Sequence, residues 1–71
     1  MNIHSNILMS IHRKEKIILD FLVKNRVITT SELAEFLKVS WNTAEKNLLE
    51  LALDGKIIRL KKAGVNLWML K

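Results

Sequence analysis

The chain has 71 residues, no cysteine, no proline and a formal net charge of +5 at pH 7. That length holds one domain and buries only about 60% of the surface the unfolded chain exposes. Without cysteine, disulfides and thiolate metal sites are excluded, so the support expected for so small a core is self-association. His4 and His12 lack a ligand cluster, so no metal or cofactor is expected.

No apolar run approaches the roughly 20 residues that cross a bilayer. Residues 1–10 alternate apolar with polar instead of forming the continuous apolar core of a secretory leader. The expectation is a cytoplasmic protein with no membrane partner and no small-molecule substrate.

The charge is unevenly placed. Residues 1–54 carry seven basic and seven acidic side chains, so the whole net charge falls in residues 55–71, where Lys56, Arg59, Lys61, Lys62 and Lys71 meet no acid. A basic patch concentrated in this way points to a polyanion. A solvated, lysine-rich hairpin edge that resists aggregation is the other reading the charge allows.

In chain order, Ile11, Ile18, Phe21 and Leu22 share one face at about 100° per residue, which predicts a first helix ending at Lys24 or Asn25. Ile3 and Ile7 carry the stripe backward, and Asn2, Ser5 and Ser10 are each able to cap it. Val27 and Ile28 form a short extended link. Thr29-x-x-Glu32 then has the spacing of a capping box, in which each side chain satisfies the other residue's backbone donor.

The second helix that starts there has Leu33, Ala34, Phe36 and Leu37 on its apolar side and closes near Lys38. Ser40 is the next cap. A third helix runs from Trp41 to Asp54 on an inner stripe of Ala44, Leu48 and Leu51, with Gly55 as its left-handed stop.

Beyond Gly55 the period changes to two, and Ile57–Leu60 and Val65–Leu70 flank Ala63-Gly64 as the arms of a hairpin. A two-residue turn pairs Leu60 with Leu67 and Ile58 with Met69, leaving Arg59, Lys61, Asn66 and Trp68 on the opposite face. Ile57 and Leu70 accompany that basic set, so the pattern alone does not say which face meets the core.

The order of helix, strand, short helix, turn, longer helix and hairpin resembles the winged helix-turn-helix superfamily of transcription regulators over roughly residues 11–70. Residues 27–40, from Val27 through Thr29, Glu32, Leu33 and Leu37 to Ser40, resemble the family's second helix and turn. Thr43-Ala44 with Leu48, Leu51 and Gly55 resembles its third helix. The resemblance implies a mainly α fold with a small β-hairpin, three helices plus a wing, over residues 11–71. Residues 1–10 are then an N-terminal helical extension and a candidate dimerisation segment. It also implies a double-stranded DNA partner, with wing residues Arg59, Lys61 and Lys62 along the backbone or in the minor groove, where contacts add affinity with little sequence information.

A reading helix presents polar or basic side chains near its amino end, where its dipole and free donors favour phosphate and side chains reach base edges. Asn42 and Lys46 meet that requirement, one turn apart and opposite Ala44. Asparagine pairs in bidentate fashion with adenine, and lysine reaches guanine acceptors or a phosphate. Thr43, beside them, is a phosphate contact or simply a helix-start residue.

Trp41 lies about 60° from Ala44 on the helical wheel, which favours burial; exposed, it offers an apolar groove contact. Glu45, an awkward neighbour for phosphate, reads as a surface residue or as paired with another protein group more than with cytosine. Trp68 beside Arg59 suggests a cation over an indole that stiffens the hairpin.

Leu49 and Leu53 share the outward sector with Asn42 and Lys46, and the cover expected for them is the segment containing Ile3, Ile7 and Leu8, from the same chain or from a second copy. A homodimer places two reading helices on half-sites about 34 Å apart. The rival function is a winged helix that contacts protein, with Trp41, Leu49, Leu53 and Trp68 as its surface. No Gly-rich phosphate loop, metal-ligand spacing or acid–base–nucleophile set points to an enzyme.

Overall fold

The computed structural model describes the backbone from Ile3 onward and the side chains from Arg13 to Lys71. Its elements are α1 (Ile3–Asn25), β1 (Val27–Thr29), α2 (Thr30–Leu37), α3 (Trp41–Leu53), β2 (Ile57–Lys62) and β3 (Val65–Leu70). Each boundary has a local cause.

Helix α1 stops where Arg26 turns to φ 67° and its N–H returns to the Leu22 carbonyl at 2.8 Å, a left-handed termination of the usual kind. Ser5 and Ser10 fall inside this helix. The capping box forms as expected: the Glu32 N–H donates to Thr29 Oγ1 at 3.1 Å, and the Thr29 N–H donates to Glu32 Oε1 at 2.7 Å. Lys38, at φ 58°, ends α2, and the Val39 N–H reaches back to the Ala34 carbonyl at 3.0 Å. Ser40 caps α3 by accepting from the Thr43 N–H at 3.2 Å. Gly55 turns to φ 77° after it, with open space where a Cβ would stand, so the backbone angle and not crowding is what favours glycine.

The three strands form one antiparallel sheet in the order β1-β3-β2. The hairpin has the register expected from its turn, with Ile58 opposite Met69, Leu60 opposite Leu67 and Lys61 opposite Asn66. Both turn residues have positive φ, 52° at Ala63 and 79° at Gly64, which matches the twist of a two-residue hairpin. The link after α1 is more than a connector. It is a third strand, with Val27, Ile28 and Thr29 paired to Met69, Trp68 and Leu67.

That pairing resolves the ambiguity of the hairpin faces. Ile28, Ile57 and Trp68 turn inward and are buried with Ile18 and Leu22 of α1, Leu33 and Ala34 of α2, and Ala44, Leu48 and Leu51 of α3. Complete burial of an aliphatic side chain of this size stabilises by about 1.5–3 kcal/mol. The outer face of the sheet carries Val27, Ile58, Leu60, Val65, Leu67 and Met69, none of them fully buried. Phe21 and Phe36 stack between α1 and α2 with centroids 4.1 Å apart.

Two expectations are corrected. Trp41 is 48% exposed rather than buried: it opens α3, and a helical side chain leans toward the N-terminus, so Trp41 projects past the end of the core. Trp68 is fully buried, so it neither offers its ring to Arg59 as a surface cation site nor belongs to any partner surface. Among the described residues, no helix is long and apolar enough to cross a membrane.

Candidate nucleic-acid interface

Helix α3 buries Ala44, Leu48 and Leu51, which leaves the opposite sector facing outward. Asn42 and Lys46 lie in that sector and are both exposed. Thr43 is exposed as well, but its hydroxyl is bonded to Ser40 Oγ at 3.0 Å, and its backbone donates to the same oxygen. Thr43 therefore already serves the helix start. Two of the first-turn donors of α3, those of Trp41 and Asn42, remain beside an N-terminus where the helix dipole favours an anion.

The wing is joined to this helix through Glu45. One carboxylate oxygen accepts from the Thr30 hydroxyl at 2.7 Å, and the other accepts from Asn66 Nδ2 at 3.2 Å. Thr30 in turn accepts from the Trp68 indole N–H at 2.9 Å. The Thr30 hydroxyl has one proton, so the directions are determined: indole to threonine, threonine to carboxylate. This chain of bonds joins α2, α3 and β3 and satisfies the buried Thr30 hydroxyl and the indole N–H of the buried Trp68.

Alternation along the strands places Asn66 and Trp68 on the same face as Arg59 and Lys61. The bond from Asn66 to Glu45 thus brings the strand face that carries Arg59 and Lys61 beside α3. Arg59, Lys61 and Lys62 are all exposed. Lys62 belongs to the other face, next to the turn, and pairs with Val65.

Lys56 is a different kind of cation. Its ammonium is bonded to the Glu15 carboxylate of α1, and that hydrogen bond, with the Glu15 and Asp54 charges, raises its pKa above the ordinary lysine value against a smaller opposing effect of desolvation. A raised folded-state value means that the pair supports the fold below the ordinary lysine pKa and is lost as pH rises through the folded one. One of the five cations of residues 55–71 is therefore committed to the protein itself.

The sequence pattern did not foresee Thr30 or Asn66 as members of one network with Glu45. Residues 30, 45 and 66 are far apart in the chain, and no periodicity links them. A threonine directly after a capping threonine carries no signal that it will be buried.

A second region lies at the far end of α3. Leu49 is 37% exposed and Leu53 is 87% exposed. Leu53 lines a groove with Lys14, Glu15 and Ile18 of α1 and with Asn47, Glu50 and Asp54. The side chains of Ile3, Ile7 and Leu8 lie outside the described residues.

Comparison with curated proteins and with solved structures gave no match. The family model of the DeoR-like helix-turn-helix domain matches residues 13–64, which run from α1 through α2, α3 and β2 to the turn of the wing. With three helices, a capped turn between the second and third, and a hairpin held against the third, the chain belongs to the DeoR-like helix-turn-helix family of DNA-binding regulators.

Proposed function

We propose that this chain binds double-stranded DNA as a transcription regulator by placing α3 in the major groove, with Asn42 and Lys46 at base edges, Trp41 against sugar or a thymine methyl, and Arg59, Lys61 and Lys62 on the phosphate backbone. The observation that carries this reading is the bond from Asn66 to Glu45, since it sets the face with Arg59 and Lys61 beside the helix that would read bases. Phosphate contacts then supply affinity and position, and the amino end of α3 supplies selectivity. Thr43 contributes through the cap that orients the first turn.

The test is fluorescence anisotropy of a labelled random-sequence duplex titrated at several salt concentrations. Binding should weaken steeply with salt, by about 0.9 log units per tenfold change for each phosphate neutralised. Lys61→Ala should lower both affinity and slope, and Lys62→Ala should do so less, because Lys62 faces away from α3. Absence of binding by the wild-type protein at low salt rejects the reading and turns attention to a protein partner on Trp41, Leu49 and Leu53.

The exposure of Leu53 beside α1 supports a further part of the proposal, a homodimer in which the far end of α3 and the first turns of α1 are covered by a second copy. Exposed Arg13, Lys14 and Lys16 on α1 and exposed Glu50 and Asp54 on α3 provide opposite charges for a two-fold contact. Sedimentation velocity checks it: Leu53→Glu is expected to shift a dimer to monomer without changing the helical circular dichroism, and a monomeric wild-type protein at micromolar concentration rejects it.

A further inference from the structure

The acidic residue of α3 is the feature that DNA binding alone does not explain. A carboxylate in the first half of a reading helix repels phosphate, yet Glu45 is half-buried there, and both its oxygens are occupied, by Thr30 at 2.7 Å and by Asn66 at 3.2 Å. The Thr30 end is rigid: Thr30 is 3% exposed and is itself held by the indole of the fully buried Trp68. The Asn66 end is the movable one, since β3 continues past Asn66 to the turn of a hairpin whose Lys61, Lys62, Ala63, Gly64 and Val65 are all exposed. Glu45 is therefore a bracket between a fixed core and a protruding arm. Without it, the outer part of the wing is held to α3 by no hydrogen bond among the described residues.

We infer that Glu45 is a positioning residue for DNA recognition, a buried-side bracket that sets the angle between the wing and α3 so that Lys61 and Arg59 engage the same duplex as Asn42 and Lys46. The inference rests on the DNA-binding reading above and deepens it. Two physical effects of Glu45 oppose each other: its charge disfavours phosphate, and its hydrogen bonds orient the cations that favour it. Hydrogen bonds to a charged group are short and roughly twice as strong as neutral ones, whereas the repulsion between a half-buried carboxylate and phosphates across the groove acts partly through water and is weakened by salt. The orienting effect should win.

The two effects separate in a pair of variants that remove the same charge. Glu45→Gln keeps an acceptor for the Thr30 hydroxyl, and its amide can donate to Asn66 once the Asn66 amide turns over to present its oxygen. Glu45→Leu keeps an aliphatic side chain at this position and loses both bonds. With the random-sequence duplex as probe, Glu45→Gln should bind as tightly as wild type or more tightly. Glu45→Leu should bind about tenfold more weakly, with a salt slope smaller by about one to two phosphate contacts.

Asn66→Ala breaks only the arm of the bracket, leaves the net charge and the Thr30 bond in place, and lies at a half-exposed position, where a small effect on folding is expected. It should reproduce the loss of affinity and slope with little change in melting temperature. Equal binding by Glu45→Gln and Glu45→Leu, or wild-type binding by Asn66→Ala, overturns the inference while leaving DNA binding intact. A wild-type protein that does not bind the duplex overturns both.

Discussion

The two faces of the three-stranded sheet both depart from the usual distribution of residues. The face turned toward the helices holds Ile28, Ile57 and Trp68, but it also carries Arg59, Lys61 and Asn66. The face turned to solvent carries six apolar side chains and, among them, Val27, Ile58, Leu60 and Val65 are each more than a third exposed. In a sheet with one solvated face the expected order is apolar inside and polar outside. The difference shows that the inner face has two zones along its length. Near the base of the hairpin it is core; toward the turn, where Asn66 bonds Glu45, it becomes the polar side of the wing beside α3.

The comparison predicts very unequal costs for changes on the two faces. Trp68→Ala removes a completely buried indole and the first donor of the bond chain, and a loss of about 3–5 kcal/mol is expected, enough to leave a domain of this size largely unfolded in urea titrations at room temperature. Leu60→Thr, on the outer face of the next strand, should change stability by no more than about 0.5 kcal/mol. Comparable costs for the two would mean that the outer face is covered in solution.

A smaller effect sharpens the inner zone. Thr30→Val keeps the shape of a buried residue but leaves the Trp68 indole N–H without an acceptor and removes one of the two donors to Glu45, that of Asn66 remaining. The expected loss is about 1–3 kcal/mol, accompanied by a shift in tryptophan emission, since the environment of the buried indole changes. No shift and no loss would mean that the indole does not depend on this bond.

A gain in stability is expected at the turn that joins the two arms of the hairpin. Ala63 is held at φ 52°, a region costly for a residue with a Cβ and a short apolar side chain. Ala63→Asn places the residue most tolerant of that angle ahead of Gly64 and should stabilise by about 0.5–1 kcal/mol, read as a rise of a few degrees in melting temperature. A lowered melting temperature would show that the turn has another conformation in solution.

Much of this was legible from local pattern. Thr29 with Glu32, and Ser40 before Trp41, mark helix starts because a cap is satisfied within three residues of itself. The hairpin register follows from a two-residue turn flanked by strands of period two, and Asn42 and Lys46 are exposed because the stripe of Ala44, Leu48 and Leu51 leaves them no other side. Trp41 was not legible in the same way. The helical wheel records angle but not how far the neighbouring elements reach along the axis, and Trp41 lies beyond their reach.

The sequence by itself determined the elements, their caps, the pairing within the hairpin and the concentration of charge after Gly55, since each depends on residues close together in the chain. Only the tertiary structure decided which face of the sheet turns inward, that Val27–Thr29 pairs with β3, and that Thr30, Glu45, Asn66 and Trp68 form one chain of hydrogen bonds. The physical reason is that a hairpin with apolar residues on both faces offers two nearly equivalent ways to pack. The choice between them is made by distant partners, the helices that cover Trp68 and the edge strand that pairs with it.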